Sequence, residues 1–211
     1  MPRQNRVTPF GEIVAVPERG TLMGNRGVLH DESGTIRRAW QLRRWILCVL
    51  EFKNRQRKVM SPGRYTELFF LDEATGLAAG HRPCAECQRQ RFRAFCACWE
   101  KGNSTHVKKH APRADEIDAQ LHGERLGPDR EKVRFACNID DLPDGVLVTL
   151  PQDDAIAYLL WQGKLLIWSP GGYHTRRGRP NGVTVSVLTP ASTVEAIRAG
   201  FVPAVHPSAF S

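Results

Sequence analysis

The chain has 211 residues, 41% of them hydrophobic and 25% charged, with a net charge of +8 and six cysteines. This composition supplies enough apolar residues for a buried core and excludes a disordered chain. The longest apolar run, Trp45–Leu50, is far shorter than the roughly 20 residues that span a bilayer, and no apolar segment follows the N-terminus. The sequence therefore predicts a cytoplasmic protein with no membrane partner, and it leaves the oligomeric state open.

The first two thirds of the chain mix strands and helices. Residues 1–36 are rich in glycine and proline, which predicts loops with one short strand near residues 10–16. Residues 45–52 and 65–70 predict two strands that pair antiparallel across a basic turn. Acidic residues followed by Gly80 predict a short helix over residues 72–79. Apolar periodicity then predicts helices over residues 88–101 and 115–126.

From Lys132 onward, short apolar runs alternate with turns. They predict strands at residues 132–138, 145–150, 156–161, 164–168 and 183–188, followed by a helix that ends at Gly200. The third and fourth of these strands form a tight hairpin. The sequence thus predicts an α+β fold, with a strand–helix–zinc-knuckle region at 1–128 and a small antiparallel β module at 129–211.

Positive charge is concentrated in one segment, Arg37–Arg64. It holds nine basic residues and one acid, so it carries the whole +8 excess, and aromatic residues lie among the charges. A solvated arginine-rich surface is one interpretation, and a DNA- or RNA-binding surface is the other. The predicted phosphate contacts are Arg37, Arg38, Arg43, Arg44, Arg55, Arg57, Arg82 and Arg89.

Cys84 and Cys87 form a Cys-x2-Cys pair between a proline and a helix, the usual position of a zinc knuckle. Disulfides are not expected among the cysteines of a cytoplasmic chain of this length. A tetrahedral zinc site needs further ligands, and the leading candidates are Cys48, on the predicted strand beside the knuckle, and His30, in a glycine-rich loop. The predicted cofactor is zinc, bound by Cys84, Cys87, Cys48 and His30.

Residues 67–87, Glu67-Leu-Phe-Phe-Leu-Asp-Glu-Ala-Thr-Gly-Leu-Ala-Ala-Gly-His-Arg-Pro-Cys-Ala-Glu-Cys87, resemble the second half of the metal-binding domain of Ada-type DNA alkylation-repair proteins. The resemblance implies a strand, a helix and a knuckle that hold zinc beside a DNA-contacting surface. In the Ada-type domain, another cysteine pair that includes the methyl acceptor lies just before the strand. Here residues 53–68 contain no cysteine or histidine, so the methyl-acceptor chemistry is not carried over.

The function predicted first is therefore a zinc-stabilised nucleic-acid-binding protein, with DNA repair or processing as the suggested context. One alternative is a metal-dependent hydrolase or nuclease in which His30 is the base and Asp31 and Glu67 bind a metal. Another is a structural or adaptor protein without catalysis. The segment Ser169–Gly182 predicts an exposed cationic loop, in which backbone amides and arginines could hold a phosphate.

Overall fold

The structure is a computed structural model that describes residues 1–54, 58–104 and 112–210. In these ranges it is an α+β fold with two six-stranded sheets, as predicted. The strands are β1 (Gln4–Val7), β2 (Ile13–Ala15), β3 (Leu22–Asn25), β4 (Ile46–Cys48), β5 (Leu68–Phe70), β6 (Arg82–Pro83), β7 (Phe135–Asn138), β8 (Leu147–Leu150), β9 (Asp153–Trp161), β10 (Lys164–Ser169), β11 (Gly172–Gly178) and β12 (Thr184–Val187). The helices are α1 (Glu73–Ala78), α2 (Arg89–Gly102), α3 (Ala114–Arg125) and α4 (Ala191–Arg198), and two short 3-10 helices lie at Ile139–Asp141 and Pro207–Ala209. None of the helices in the described ranges has the length and apolar character needed to cross a membrane.

The first sheet has the strand order β2-β1-β5-β3-β4-β6. The prediction that the strands around residues 45–52 and 65–70 pair with each other is wrong, because β3 lies between them and pairs antiparallel with both. Gly24 makes this insertion possible: a Cβ atom there would lie 2.2 Å from the Ile46 carbonyl oxygen. The glycine-rich segment that predicted loops therefore supplies three of the six strands, β1 to β3.

Helix α1 follows β5 directly and is fixed at its N-terminus by Asp72. One oxygen of this carboxylate accepts hydrogen bonds from the Thr75 backbone N–H at 2.8 Å and the Thr75 hydroxyl at 2.7 Å. The other oxygen accepts from the Tyr173 hydroxyl at 2.8 Å and from the His206 N–H at 2.9 Å. The N-cap of α1 thus also ties the first sheet region to the second sheet and to the C-terminal segment.

The second sheet is antiparallel, with the order β11-β10-β9-β8-β12-β7. The β9–β10 hairpin turns at Gln162 and Gly163 as predicted, with Trp161 paired to Lys164. Half of the segment predicted as a cationic loop, Ser169–Gly182, is strand β11, because its backbone pairs along β10 from Ser169 to Lys164. This pairing uses one side of the β11 backbone, which is the edge strand of the sheet.

Two hydrophobic clusters join the two sheet regions. Leu77 of α1 and Phe95 of α2 pack in one cluster with residues of β8, β9 and α4. Leu71 and Ala74 pack in another with Leu147 and Leu159 of the second sheet. The boundary predicted at residues 128/129 falls between α3 and β7, and buried apolar contacts extend across it.

Candidate metal centre

Three cysteine thiols meet at one end of the first sheet. Cys48 is the last residue of β4. Strand β6 runs parallel to β4, with Leu47 opposite Pro83, so the chain leaves β6 at Cys84 next to Cys48. The Cys84 N–H donates to the Leu47 carbonyl at 2.8 Å and fixes this approach. The ligand atoms of Cys48, Cys84 and Cys87 all lie within 4.8 Å of one another.

The turn from Cys84 to Cys87 directs backbone N–H groups at sulfur. The Glu86 N–H donates to Cys84 Sγ at 3.4 Å, and the Cys87 N–H adds a second hydrogen bond to the same sulfur. The Val49 N–H, just after β4, donates to the Cys87 sulfur. Hydrogen bonds to a charged sulfur stabilise the thiolate, the form in which cysteine binds a metal.

The three thiols differ in acidity. A hydrogen bond from the Cys48 thiol, together with the backbone N–H groups, lowers the pKa of Cys84 to about 5 despite its burial. The same hydrogen bond, followed by burial, raises the pKa of Cys48, and burial raises the pKa of Cys87. Cys84 is therefore the thiol that ionises first, and a cation at the centre would favour ionisation of the other two.

The three thiols fit a tetrahedral metal ion. Sulfur atoms that bind one tetrahedral zinc ion at about 2.3 Å lie about 3.8 Å from each other. The three sulfur atoms here lie within 4.8 Å of one another, which is compatible with that spacing. Across the described ranges, no further Cys, His, Asp or Glu joins this group. A metal ion held by the three sulfurs would have one coordination position left for another ligand.

The three thiols line a cavity of about 370 Å³. Its floor is one face of the sheet, where Cys48 lies opposite Met23 and Met23 lies opposite Phe69. Glu67 and Asn25 also line this cavity, although Glu67 is only 5% exposed. A fourth ligand from outside the chain can approach the thiols through this space.

Two cavities lined by basic residues adjoin the thiol cavity through shared lining residues. One, of about 580 Å³, is lined by Arg3, Arg6 and Arg19 and shares Val59 and Phe69 with the thiol cavity. The other, of about 410 Å³, is lined by Lys58 and Arg64 and shares Glu67 with it. The three cavities share lining residues in this way, so we call them together the thiol groove and refer to the two basic cavities as its basic ends.

His30 and Asp31 are not members of the thiol cluster. His30 is buried, with Nδ1 2.6 Å from the Thr66 hydroxyl and Nε2 3.2 Å from the Ser61 carbonyl oxygen. Asp31 accepts hydrogen bonds from Ser33 and Arg37, which lower the pKa of its carboxyl group and hold a local turn. Of the residues predicted for a hydrolytic site, the structure therefore brings only Glu67 to the thiol cavity, and both ring nitrogens of His30 are engaged elsewhere.

The predicted phosphate-binding arginines fall into separate groups. Arg37, Arg38, Arg43, Arg44 and Arg89 are exposed, whereas Arg55 and Arg57 lie outside the described residues. Arg82 is 2% exposed and bonds Asp118 through two nitrogens, so its guanidinium is engaged inside the fold.

Trp45, in the middle of the basic segment, is not a surface aromatic. It is buried, with the guanidinium carbons of Arg26 and Arg125 each 4.0 Å from its ring. Its indole N–H donates to the Leu42 carbonyl at 2.8 Å. Trp45 therefore supports the fold and offers no face to a nucleic-acid base.

Known proteins give no further guide to the site. No family model, curated protein or solved structure matches the chain. The resemblance of residues 67–87 to the Ada-type domain stays a prediction. The geometry of the thiol groove is what bears on function.

Most residues that line the thiol groove were not among those predicted from the sequence. Met23, Asn25 and Phe69 line it because alternate residues of neighbouring strands share a sheet face, which becomes visible only when the strand order is known. Arg3 and Arg19 had a weaker signal in the sequence, as basic residues among the glycines and prolines before residue 36.

Proposed function

We propose that this chain is a zinc-binding protein that binds DNA or RNA along the thiol groove. The observation that carries the proposal is the position of the three thiols, which line a cavity that shares lining residues with two cavities lined by basic side chains. Exposed lysine and arginine side chains are the usual partners of backbone phosphates. A strand crossing the groove would place phosphates against both basic ends.

Zinc is the metal that suits this donor set best. Three thiolates are soft ligands, and four-coordinate tetrahedral zinc accepts three protein sulfurs with one position left open. Bound zinc would tie β4 to the Cys84–Cys87 turn and so stabilise the end of the first sheet. This role requires no acceptor cysteine and is separate from methyl transfer.

Metal content tests the first half of the proposal. We expect about one zinc ion per chain by elemental analysis, lost in Cys84→Ser and retained in Cys137→Ser, whose cysteine lies on β7 of the other sheet. Wild-type protein purified without zinc and unable to bind added zinc would refute it.

Nucleic-acid binding tests the second half. Fluorescence anisotropy with labelled single-stranded DNA and RNA would compare two alanine sets of equal size. The groove set replaces Arg3, Arg19, Lys58 and Arg64, and the loop set replaces Arg37, Arg38, Arg43 and Arg44. We expect the groove set to weaken binding and to reduce the slope of log affinity against log salt by about 0.7 for each phosphate that is no longer neutralised.

The two sets separate the outcomes. A loss of binding in the loop set alone would move the interface to Arg37, Arg38, Arg43 and Arg44 and away from the thiol groove. No affinity for DNA or RNA in the zinc-loaded wild type would reject nucleic-acid binding and leave a structural or adaptor role for the metal.

One observation favours a hydrolase as a second candidate. A metal with three protein ligands and an open position is the usual form of a catalytic zinc site, and Glu67 lies in the same cavity. Turnover of an oligonucleotide by the zinc-loaded wild type and its loss in Glu67→Gln, with zinc content unchanged, would establish this activity. Absence of turnover would remove it.

A further inference from the structure

The floor of the thiol cavity is a flat, mostly apolar sheet face. In a pleated strand, alternate residues point to the same side, so Met23 and Asn25 of β3 share a face with Cys48 and with Phe69. The opposite side carries Leu47 and Leu68, which are fully buried in the core of the first sheet. The sheet thus presents one face to its core and the other to the cavity.

Phe69 occupies a boundary position in the groove. Its ring lines both the thiol cavity and the Arg3/Arg19 cavity, and the guanidinium of Arg6 lies 4.9 Å from the ring centroid. Arg6 covers one face of this ring, and the side chain borders both cavities, where an aromatic group can pack against a planar ligand.

Glu67 is the buried polar group of the cavity. One oxygen of its carboxylate accepts a hydrogen bond from the Met60 N–H at 2.7 Å. An ionised carboxylate has about four lone-pair positions, so it retains capacity to accept N–H groups from a ligand. The Glu67 carboxylate attracts hydrogen-bond donors, and because it also lines the Lys58/Arg64 cavity, it offsets part of the positive charge there.

The size of the cavity selects a small planar group. A volume of about 370 Å³ is at the lower end of the range for small-ligand pockets and cannot admit a double helix. Nucleobases in a single strand have free Watson–Crick edges and π-faces, and proteins bind them by stacking and by hydrogen bonds to those edges.

We propose that the thiol cavity holds one unstacked nucleobase of the bound strand, packed against Phe69 and Met23, with its N–H edge on the Glu67 carboxylate. This inference rests on the proposed function, since the flanking phosphates are those held by the basic ends of the groove. Guanine fits best because its N1–H and N2–H groups are adjacent donors that match the two oxygens of a carboxylate. Thymine and uracil fit worst because carbonyl oxygens flank their single N–H.

The test uses the zinc-loaded wild-type protein and labelled 12-residue strands of abasic residues in which the central residue carries guanine, thymine or no base. We expect the guanine strand to bind about tenfold more tightly than the abasic strand, the usual scale of stacking one base on an aromatic ring. The thymine strand should lie between them. Because all three strands carry the same phosphates, their salt dependence should be equal.

Variants then assign the effect to the cavity. Phe69→Leu should remove most of the difference between the guanine and abasic strands, and Glu67→Gln should remove the preference for guanine over thymine. Phe210→Leu, at an exposed aromatic that contacts Trp161 of the second sheet, is the matched control and should change neither.

The outcomes are distinguishable. Equal binding of the guanine and abasic strands by the wild-type protein overturns the base site and leaves the proposed backbone binding intact. No binding of any strand overturns both. The comparison of strands needs no variant, so a folding defect in Phe69→Leu cannot hide either result.

Discussion

The buried ion pair between Arg82 and Asp118 should be a large single contribution to stability. Arg82 lies on β6, two residues before Cys84, and Asp118 lies on α3, and the two nitrogen–oxygen distances are 2.9 and 2.7 Å. Arg82 is 2% exposed and Asp118 is 6% exposed. The substitution Asp118→Asn keeps the shape of the side chain and leaves a buried guanidinium without its counter-ion.

An uncompensated buried charge typically costs about 3–5 kcal/mol. The cost should lie toward the upper end here, because Arg125, on the same helix as Asp118, is also buried and would repel Arg82. The total free energy of unfolding of a native protein is about 5–15 kcal/mol, so a loss near 5 kcal/mol would remove about a third of it or more.

Urea unfolding followed by tryptophan fluorescence on zinc-loaded protein measures this loss. The matched control is Asp115→Asn, on the same helix, whose partner Arg113 lies at 3.3 Å with both side chains more than two-thirds exposed. Exposed pairs of this kind contribute about 0–1 kcal/mol, so the control should change little.

A double variant identifies the cause. Arg82→Met with Asp118→Leu removes both charges and should recover much of the stability lost in Asp118→Asn, because no buried charge remains unpaired. If Asp118→Asn were no more destabilising than Asp115→Asn, the assignment of a buried, desolvated pair would be refuted. If the double variant were as unstable as Asp118→Asn, the loss would come from packing and not from charge.

Two further predictions concern charge and backbone packing. Burial, followed by the charges of Arg26 and Arg125, lowers the pKa of the half-buried Lys132 to about 7. An unfolded lysine keeps its proton to about pH 10.4, so the folded state binds fewer protons and the free energy of unfolding should rise from pH 7 to 9, by at most about 2 kcal/mol. Urea unfolding at both pH values should show this rise in the wild type and a smaller rise in Lys132→Met. An equal rise in the two proteins would contradict the lowered pKa of Lys132. Gly24→Ala should destabilise by about 2–3 kcal/mol because its Cβ would overlap a carbonyl of the neighbouring strand, whereas Gly123→Ala, in a helix with no atom within 4 Å of the new Cβ, should stabilise by about 0.5–1 kcal/mol. Thermal melts of the two alanine variants check the opposite signs, and equal shifts would count against the close approach at Gly24.

Local patterns in the sequence were sufficient for several elements. Asp72 and Gly80 bracket α1 because the carboxylate caps its first turn and glycine adopts the positive φ after its end. The Cys-x2-Cys spacing indicated half of a metal site because two thiols in one tight turn converge whatever surrounds them. The expectation that Cys48 lies beside the knuckle agrees with the pairing of β4 and β6.

The wrong predictions concern contacts between distant segments. The sequence suggested that β4 pairs with β5, because neighbours along the chain often pair, but β3 enters between them at Gly24. The glycines and arginines of Ser169–Gly182 predicted a loop. Half of that segment is strand β11, because it pairs antiparallel with β10.

The sequence alone determined the local features of this protein: the helix caps, the apolar periodicities, and the thiols and charges that lie close together in the chain. Only the tertiary structure decided the strand order, and with it the sheet face that joins Met23, Cys48 and Phe69 and the cavity that also receives Glu67. The physical reason is that local preferences depend on residues within a turn or two, whereas a sheet face depends on which distant strands pair. That choice is set by the burial of the whole core.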